Sequence, residues 1–292
     1  PLQPGKNGWT SSPPLFEKLR EAGPRSEIRR PRSVVLKLGG SVITFKSAGE
    51  PRVRWAVLRR LAAEIAAARP ERLVVVHGAG GFGHPIVERT GIHRGVRNDA
   101  DRLAWAETQC WQNVLDVQVA ATLCRAGIPA VPCQPSAAAV LRDGRLERMG
   151  LSAVEGMVGA GMVPVLFGVP AFDRVRGCAI LSGDAIAPFV AARLGFDLVV
   201  HATDVDGVYE ADPRRVRGAR RFRKIDRRSW PSARGALMGC SAVDVTGGML
   251  GKVVELVGWA RRGVRARIVD ARIPGRVRGA LAGRGAGTLV EW

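Results

Sequence analysis

Three short turns of small residues restrict what this chain can fold into and what it can bind. The first is KLGGS at residues 37–41, the second is HGAGGFGH at residues 77–84, and the third is DVTGGMLGK at residues 244–252. The first two follow apolar runs, and the third opens a helical pattern. Glycine lets backbone N–H groups approach an anion closely, so each turn is a candidate anion cradle. Because the first and third turns also carry a lysine, they predict a site for phosphoryl groups.

Apolar runs and helical patterns alternate along most of the chain. The predicted strands cover residues 34–38, 73–76, 130–132, 163–167, 198–201 and 265–269, and the predicted helices include residues 103–125, 183–194 and 248–262. Residues 170–180 have the pattern of a hairpin, and residues 287–291 that of an edge strand. Buried strands that alternate with helices predict an α/β fold with a mostly parallel sheet covered on both faces. Ligands of such sheets gather at the carboxyl ends of the strands, where we expect the glycine turns.

Length and composition favour a reduced, globular protein. At 292 residues the chain is long enough for one large α/β domain or two lobes. Residues 1–33 are rich in proline, serine and arginine and are expected to form a mobile basic extension, so the folded domain is predicted to span residues 34–292. No apolar run approaches the roughly 20 residues that span a bilayer, and there is no apolar secretory signal. The five cysteines are scattered without a C-x-x-C pair, which argues against disulfides or a zinc site and favours the cytoplasm.

The formal net charge of +19 suggests a nucleic-acid or membrane partner at first sight. The arginines are dispersed along the chain, however, aromatic residues make up only 5%, and no nucleic-acid-binding motif is present. We therefore expect neither nucleic acid nor membrane as a partner. A basic surface still attracts polyphosphate substrates.

Lysines near the glycine turns are the candidate catalytic cations. Lys37 lies at the end of the first predicted strand, Lys252 lies one helical turn after Gly248, and Lys46 follows nine residues after Lys37. Each also has an ordinary interpretation as a strand-end or solvated lysine. Arginine supplies most of the positive charge of this chain, so lysines placed beside two glycine turns favour a functional role.

Two histidines and one carboxylate have competing interpretations. His84 closes the second glycine turn at a predicted helix start before Pro85, a position that favours an anionic ligand. His201 closes a predicted strand and is expected to serve packing or a loop. Asp184 is either a plain helix-capping residue or a carboxylate that holds two nearby lysines in place and keeps them protonated.

Two common nucleotide-binding motifs do not describe this chain. Residues 78–83 match G-x-G-x-x-G, but they follow the second strand rather than the first, and the acidic residue expected about 20 positions later falls in polar sequence. No P-loop of the form G-x-x-x-x-G-K-[ST] is present. Residues 203–209, TDVDGVY, follow a strand and are either a plain Asp-Gly turn or a loop that grips the base and ribose of a nucleotide.

Together these motifs resemble the amino acid kinase superfamily and, within it, the isopentenyl phosphate kinases. The resemblance runs from about residue 34 to residue 289 and rests on KLGGSVIT at 37–44, Lys46, HGAG at 77–80, FGHP at 82–85, SGD at 182–184, TDVDGVY at 203–209, and DVTGGM at 244–249 with Gly251 and Lys252. The Lys-Leu-Gly-Gly turn and the Asp-Val-Asp-Gly loop are superfamily features. The histidine after the glycine turn marks relatives with a phosphate or phosphonate acceptor, including fosfomycin kinases. Gly81 stands where many such kinases carry serine, and the basic extension is not part of the family pattern.

The resemblance implies an open αβα sandwich with a mostly parallel central sheet, the amino acid kinase fold, assembled as a homodimer. It implies an acceptor-binding part at residues 34–172 and a nucleotide-binding part at residues 173–292. The catalytic residues that it implies are Lys37, Lys46, Lys252 and Asp184. The implied acceptor-binding residues are Ala79, Gly80, His84 and Gly183, and the implied nucleotide-binding residues are Gly39, Gly40, Ser41, Asp204, Asp206, Gly207, Tyr209, Gly247 and Gly248.

The implied activity is ATP-dependent phosphorylation of isopentenyl phosphate to isopentenyl diphosphate, a step of an alternative mevalonate route, with ATP and Mg²⁺ as cofactors. The chemistry fits independently, because a phosphate monoester with a second pKa of about 6 is already a nucleophile near neutrality and needs no general base. The sequence offers no carboxylate cage for a metal, so Mg²⁺ is expected to bind through phosphates and water. Two alternatives stay open: a kinase of another small phosphate or phosphonate, such as fosfomycin, and a non-catalytic nucleotide- or oxyanion-binding protein on the same fold.

The hydrocarbon end of such an acceptor has no hydrogen-bonding group, so its pocket must be apolar. Ile86, Leu103 and Trp105 are the candidate lining residues, since the helix that begins near Leu103 runs beside the glycine turn in the family fold. Ordinary core packing explains these three residues equally well.

Overall fold

A computed structural model of the chain describes residues 31–45, 50–211, 216–239 and 248–292. The strands in these residues are β1 (Ser33–Leu38), β2 (Arg72–His77), β3 (Ala130–Pro132), β4 (Ala139–Arg142), β5 (Arg145–Met149), β6 (Val163–Phe167), β7 (Val169–Asp173), β8 (Gly177–Leu181), β9 (Leu198–Thr203), β10 (Lys224–Ile225), β11 (Ala266–Asp270) and β12 (Thr288–Val290). The helices are α1 (Gly40–Ile43), α2 (Trp55–Ala68), α3 (His84–Thr90), α4 (Asp99–Arg125), α5 (Ser152–Gly159), α6 (Gly183–Leu194), α7 (Trp230–Gly239), α8 (Gly248–Ala260) and α9 (Arg276–Leu281). Every strand and helix predicted from the alternation is therefore present, with boundaries shifted by a few residues.

Eight strands form one sheet in the order β10-β12-β11-β9-β1-β2-β6-β3. All neighbouring strands in it are parallel except β11 and β12. This confirms the mostly parallel sheet of the predicted α/β fold. β1 lies between β2 and β9, and its Lys37 is in register with Val76 on one side and His201 on the other. The carboxyl ends of these three strands meet at one edge of the sheet, so the turns that follow them lie together.

Two hydrophobic cores, one on each face of this sheet, hold the three layers together. Alternate residues of a strand point to opposite faces. Val35 accordingly belongs to the core under α6 and α8, whereas Val34 and Leu36 belong to the core under α2, α4 and α9. Full burial of one such side chain contributes about 1.5–3 kcal/mol, which explains why the central strands are uninterrupted apolar runs. Lys37 breaks this pattern on the α6 side, at the end of β1.

A second sheet of four strands, in the order β5-β4-β7-β8, includes the predicted hairpin and two strands that the sequence did not predict. Asp173 ends β7 and is fully buried. Its carboxylate accepts four backbone N–H bonds, of 3.1 Å from Asp143, 2.7 Å from Gly144, 2.8 Å from Val175 and 2.9 Å from Arg176. Burial alone would raise the pKa of Asp173, but these hydrogen bonds hold it below its ordinary value. One carboxylate thus joins the β4–β5 turn to the β7–β8 turn.

One expectation about the sheet edge differs from the structure. β12, predicted as an edge strand, lies between β11 and β10, and the two-residue strand β10 forms the edge. A strand of two residues is too short to show a periodicity, so the sequence did not reveal it. The expected limit between an acceptor part and a nucleotide part, at residues 172 and 173, lies at the end of β7, and this division stays a prediction.

The predicted basic extension falls almost wholly on residues 1–30, which lie outside the described residues. Its last residues behave as part of the fold, since the backbone N–H groups of Arg32 and Ser33 donate to Asp197 Oδ2 at 2.9 and 3.0 Å. Among the described residues, no helix is both long enough and apolar enough to cross a membrane. Four of the five cysteines are described, and each is a free thiol: Cys110, Cys124, Cys133 and Cys178.

Candidate active site

Lys37 lies among apolar residues of the sheet. It is the penultimate residue of β1 and only 7% exposed. Val35, its neighbour on the same face of the strand, and Val76, its register partner on β2, are both fully buried. An ammonium group that leaves water needs a charged partner, because its desolvation is otherwise too costly.

Asp184, at the start of α6, is that partner. Ser182 caps this helix, since its side chain accepts a backbone N–H bond of 3.2 Å, and the carboxylate of Asp184 is left for other contacts. Lys37 Nζ lies 2.8 Å from Asp184 Oδ1. Lys252 Nζ, from α8, lies 2.7 Å from both carboxylate oxygens. Of the two interpretations of Asp184, the structure therefore selects the carboxylate between two lysines.

Burial and charge act in opposite directions within this cluster. Burial alone would raise the pKa of Asp184, but the positive charges of Lys37 and Lys252 hold it well below its ordinary value. Burial, reinforced by repulsion from Lys37, lowers the pKa of Lys252 to about 8 against the attraction of Asp184. Lys252 is therefore protonated near neutrality and loses its proton only in alkaline solution. Near neutrality, two ammonium groups and one carboxylate leave one positive charge in excess, and the Asp184 side chain keeps 25% of its surface exposed.

The first two glycine turns lie beside this cluster and contact each other backbone to backbone. A Cβ atom added to Gly40 would lie 2.3 Å from the backbone nitrogen of Gly80, and one added to Gly78 would lie 2.8 Å from that of Gly40. Gly80 also has a φ of +51°, which few other residues adopt without strain. Glycine is thus required here by the approach of two turns, independently of any ligand.

Thr44 joins the two turns, and α6 completes the edge. The Thr44 hydroxyl donates to Gly40 O at 2.7 Å and accepts from Gly81 N at 2.9 Å. A Cβ added to Gly183 would lie 3.2 Å from His77 O, so the start of α6 also contacts the second turn. The remaining residues predicted in the first turn lie at the same edge: Gly39 directly follows β1, and Ser41 is half-buried in α1.

The second turn leads into α3 as predicted. His84 is the first residue of this helix, is half-buried, and is followed by Pro85 in the first turn. Ala79 directly precedes a 3₁₀ turn at Gly80–Phe82. These positions agree with an anion-holding turn, while the contact of His84 with an acceptor stays a prediction.

His77 and Asp116 form a buried pair at the start of the second turn, and the sequence did not predict this pair. His77 ends β2, is fully buried, and stacks on Phe167 with 5.5 Å between ring centroids. Its Nε2 lies 3.2 Å from Oδ1 of Asp116, on α4, and burial raises the pKa of that carboxyl group. The turn is thereby connected to the long helix α4.

The loop after β9 is held by arginines. Asp206 forms an ion pair with Arg221, and its Oδ2 lies 3.8 Å from Nη2 of Arg276, while its buried Oδ1 has no hydrogen-bond partner among the described residues. Gly207 has a φ of +117°, and a Cβ there would lie 2.4 Å from Thr288 Oγ1. Half of the Asp206 carboxylate is therefore already engaged by protein groups.

The remaining predicted site residues lie in the loop after β9, at the start of α8, or outside the described residues. Asp204 and Tyr209 are half-buried in the same loop, where Tyr209 forms an isolated bridge with Arg221. Gly248 begins α8. Lys46 and Gly247 lie outside the described residues.

The expected apolar lining is wrong for one residue. Leu103 is 72% exposed on the outer face of α4 and does not line an enclosed pocket in the described part of the chain. Ile86 is buried in α3 and Trp105 is half-buried on α4, so their assignment stays a prediction.

His201 is the candidate that sequence reasoning missed. It lies within β9 rather than at its last position, is fully buried, and has its Nδ1 3.3 Å from Asp184 Oδ1. Burial lowers the pKa of His201 to about 4, so the imidazole is neutral. A polar residue in an apolar run was the available signal, but its alignment with Lys37 across two strands is not readable from the sequence.

The described residues contain no group of three or more His, Cys, Asp or Glu side chains suited to hold a metal ion. A parallel sheet covered on both faces, with a lysine pair and glycine turns at its carboxyl edge, is typical of α/β proteins that bind or transfer phosphoryl groups.

Comparison with known proteins gives the family. The model of the amino acid kinase family matches residues 32–270, and the chain belongs to this family. The isopentenyl phosphate kinase of Methanothermobacter thermautotrophicus is 39% identical over 256 residues, which cover 86% of this chain and 95% of that protein. The isopentenyl phosphate kinase of Arabidopsis thaliana is 33% identical over 214 residues, which cover 68% of this chain and 64% of that protein.

Solved structures agree with these relatives. An X-ray structure of isopentenyl phosphate kinase superposes with a TM-score of 0.77 at 36% identity and covers 88% of this chain and 99% of that chain. The crystal structure of an isopentenyl phosphate kinase substrate complex superposes with a TM-score of 0.72 at 26% identity. The match covers 89% of this chain and 99% of that chain. The open αβα fold predicted from the sequence resemblance is thereby confirmed.

Proposed function

We propose that this protein is an isopentenyl phosphate kinase, which transfers the γ-phosphoryl group of ATP to isopentenyl phosphate and forms isopentenyl diphosphate. The observation that carries this proposal is the cluster of Lys37, Asp184 and Lys252 beside the glycine turn that ends in His84. Similarity to isopentenyl phosphate kinases over nearly the whole family domain supports it.

The charge of the cluster suits this reaction. The acceptor phosphate is itself the nucleophile, so the main obstacle is repulsion between two polyanions, and catalysis consists of positioning and charge neutralisation. Lys37 and Lys252 supply positive charge around the transferring group, and Asp184 holds both ammonium groups. Lys46 is proposed as a third cation.

The sheet order supports a division of labour on the two sides of Lys37. β2, with the turn that contains Ala79, Gly80 and His84, flanks β1 on one side, and β9, with the loop at residues 204–209, flanks it on the other. We assign the acceptor, with a contribution from Gly183, to the β2 side and ATP to the β9 side. Lys37 then lies where the two substrates meet.

Magnesium fits this site through the nucleotide. Both oxygens of Asp184 are engaged by lysines, and the described residues hold no carboxylate cage. A Mg²⁺ ion bound by phosphates and water would supply further neutralisation of the phosphate charge.

A panel of acceptors tests the function. The purified protein is assayed with ATP, Mg²⁺ and one of isopentenyl phosphate, geranyl phosphate, fosfomycin or acetylglutamate. We expect the highest kcat/KM for isopentenyl phosphate. A preference for fosfomycin would establish the alternative kinase, and ATP binding without transfer to any acceptor would establish a non-catalytic binding protein.

His84→Ala tests the acceptor side separately. Loss of one charge-assisted hydrogen bond costs about 1.5–3 kcal/mol, so kcat/KM for isopentenyl phosphate should fall about 10- to 150-fold. The KM for ATP should stay close to the wild-type value and serves as the internal control. Unchanged acceptor kinetics would remove His84 from the site.

A homodimer in a reducing cytoplasm is proposed for the assembly. The outer face of α4 exposes Leu103, Trp111, Val114 and Val117, although the chain as a whole is highly charged. Between residues 108 and 124 the single charged side chain, Asp116, is buried. Such an uncharged stripe is typical of an interface. Sedimentation should show a dimer that Val117→Glu dissociates, whereas Val175→Glu, at a similarly exposed valine in the β7–β8 turn, should leave it intact.

A further inference from the structure

His201 occupies a position where its neighbours are apolar. Paired residues of parallel strands lie side by side on one face of a sheet. His201 is in register with Lys37 on β1 and with Ile268 on β11, and all three lie on the face covered by α6. The next residues on that face, Val35 and Val199, belong to the buried core together with Ile268. A valine or leucine would be the ordinary residue at this position.

The imidazole is therefore costly for the fold. It is fully buried, and neither ring nitrogen makes a hydrogen bond of normal geometry with a described residue. Burial of an imperfectly paired polar group disfavours the folded state. The polar atom that His201 Nδ1 approaches is Asp184 Oδ1, at 3.3 Å. Contacts of this kind are often long without ligand and shorten when the substrates bind.

The neutral state of the ring matters for the cluster. Because burial lowers its pKa to about 4, His201 adds no third positive charge beside Lys37 and Lys252. A neutral imidazole can act on a carboxylate only as an N–H donor. It can therefore fix one oxygen of Asp184 without competing with the lysines as a counter-ion.

We propose that His201 is a positioning residue for phosphoryl transfer. Its Nδ1–H donates to Asp184 Oδ1 and fixes the orientation of the carboxylate. Through Asp184 it holds the ammonium groups of Lys37 and Lys252 at the spacing that the transferring phosphoryl group requires. The inference rests on the proposed function, because the orientation of Asp184 affects a rate only if the two lysines contact that group.

Two variants whose new side chains resemble each other in shape test this role. His201→Asn keeps an N–H donor close to the position of Nδ1, and His201→Leu has the same branching without a donor. We expect His201→Leu to lower kcat about tenfold, the effect of one hydrogen bond to a charged group, with the KM for both substrates nearly unchanged. His201→Asn should recover most of this loss. Since leucine suits an apolar face, the Tm of His201→Leu should equal or exceed that of the wild type.

A gain in stability together with a loss of kcat is the signature that a packing role would not produce. If His201→Leu keeps the wild-type kcat, or if both variants lose kcat and Tm to the same extent, the positioning role is overturned.

The tautomer provides a measurement that needs no substrate. ¹⁵N NMR of histidine-labelled protein, with the His201 signal assigned from its loss in His201→Asn, should show a neutral ring protonated at Nδ1. A ring protonated at Nε2 would overturn the proposal, whatever the kinetics. Failure of the proposed function is distinguishable, because it appears as full kcat in Asp184→Asn or as no transfer by the wild type. Failure of this inference alone appears as impaired Asp184→Asn beside unimpaired His201→Leu.

Discussion

Asp173 and Asp184 are two carboxylates whose pKa lies below its ordinary value, and they are stabilised in opposite ways. Asp173 is fully buried and accepts four backbone N–H bonds from two turns of the small sheet. Asp184 is partly exposed and contacts two lysines and a histidine that come from β1, α8 and β9.

The difference separates a structural carboxylate, Asp173, from Asp184, the carboxylate that we propose to be functional. Backbone amides are fixed and neutral, so the site of Asp173 contributes to the geometry of the fold and leaves no cation free. Lysine ammonium groups are charged and lie on flexible side chains, so the site of Asp184 keeps a positive charge in excess that a phosphoryl group can use. The two carboxylates should therefore respond differently to the same substitution.

The largest effect is expected at Asp184. Asp184→Asn removes the charge that holds both ammonium groups, and kcat should fall about 10²- to 10³-fold, as when a preorganised electrostatic group is lost. Steady-state kinetics on the folded variant measure this. Lys37→Met and Lys252→Met should lower kcat more than they change KM. A kcat within about threefold of the wild type in Asp184→Asn would contradict the functional assignment of this carboxylate.

Asp173→Asn should produce a loss of stability instead. An amide oxygen is a weaker acceptor than a carboxylate, so the free energy of unfolding should fall by about 2–3 kcal/mol, measured by urea denaturation. The kcat of the folded fraction should match the wild type. A large loss of kcat at unchanged stability would remove the distinction between the two sites.

The pKa of Lys252 predicts a smaller effect with opposite signs for activity and stability. Above pH 8 the folded protein loses the Lys252 proton, so kcat/KM should fall by about tenfold per pH unit. Between about 8 and the ordinary value of 10.5 the unfolded chain holds a proton that the folded chain has lost, so this lysine contributes stability that rises with pH. The stability difference between the wild type and Lys252→Met isolates this contribution. A difference that falls over this range would contradict the lowered pKa.

The smallest effect is expected from residues 1–30, which lie far along the chain from Asp173 and Asp184 and contain no catalytic motif. Their deletion should leave kcat within about twofold of the wild type, because it keeps the contacts of Arg32 and Ser33 with Asp197, which join this end of the described chain to the fold. Deletion of residues 1–32 also removes the contact of Arg32 with Asp197 and is the matched comparison. Loss of activity in a folded protein without residues 1–30 would show that they contribute to the site or to the dimer.

Local patterns in the sequence predicted most of the elements around the site. The strand before Lys37, the helix start at His84 and the helix that carries Asp184 are visible because apolar periodicity and helix-start residues are local signals. The second sheet was missed except for its hairpin, and the placement of β10 and β12 was missed, because short strands have too few residues for a periodicity.

The sequence by itself determined the class of fold, the glycine turns and the two lysines of the cluster, because each is encoded within a few neighbouring residues. Only the tertiary structure decided between two roles for Asp184 and brought His201 to it. Those contacts depend on the register of β9 beside β1 and on the packing of α6 and α8 over them. Strand alternation tells which face a side chain occupies, but not which distant residue lies beside it on that face.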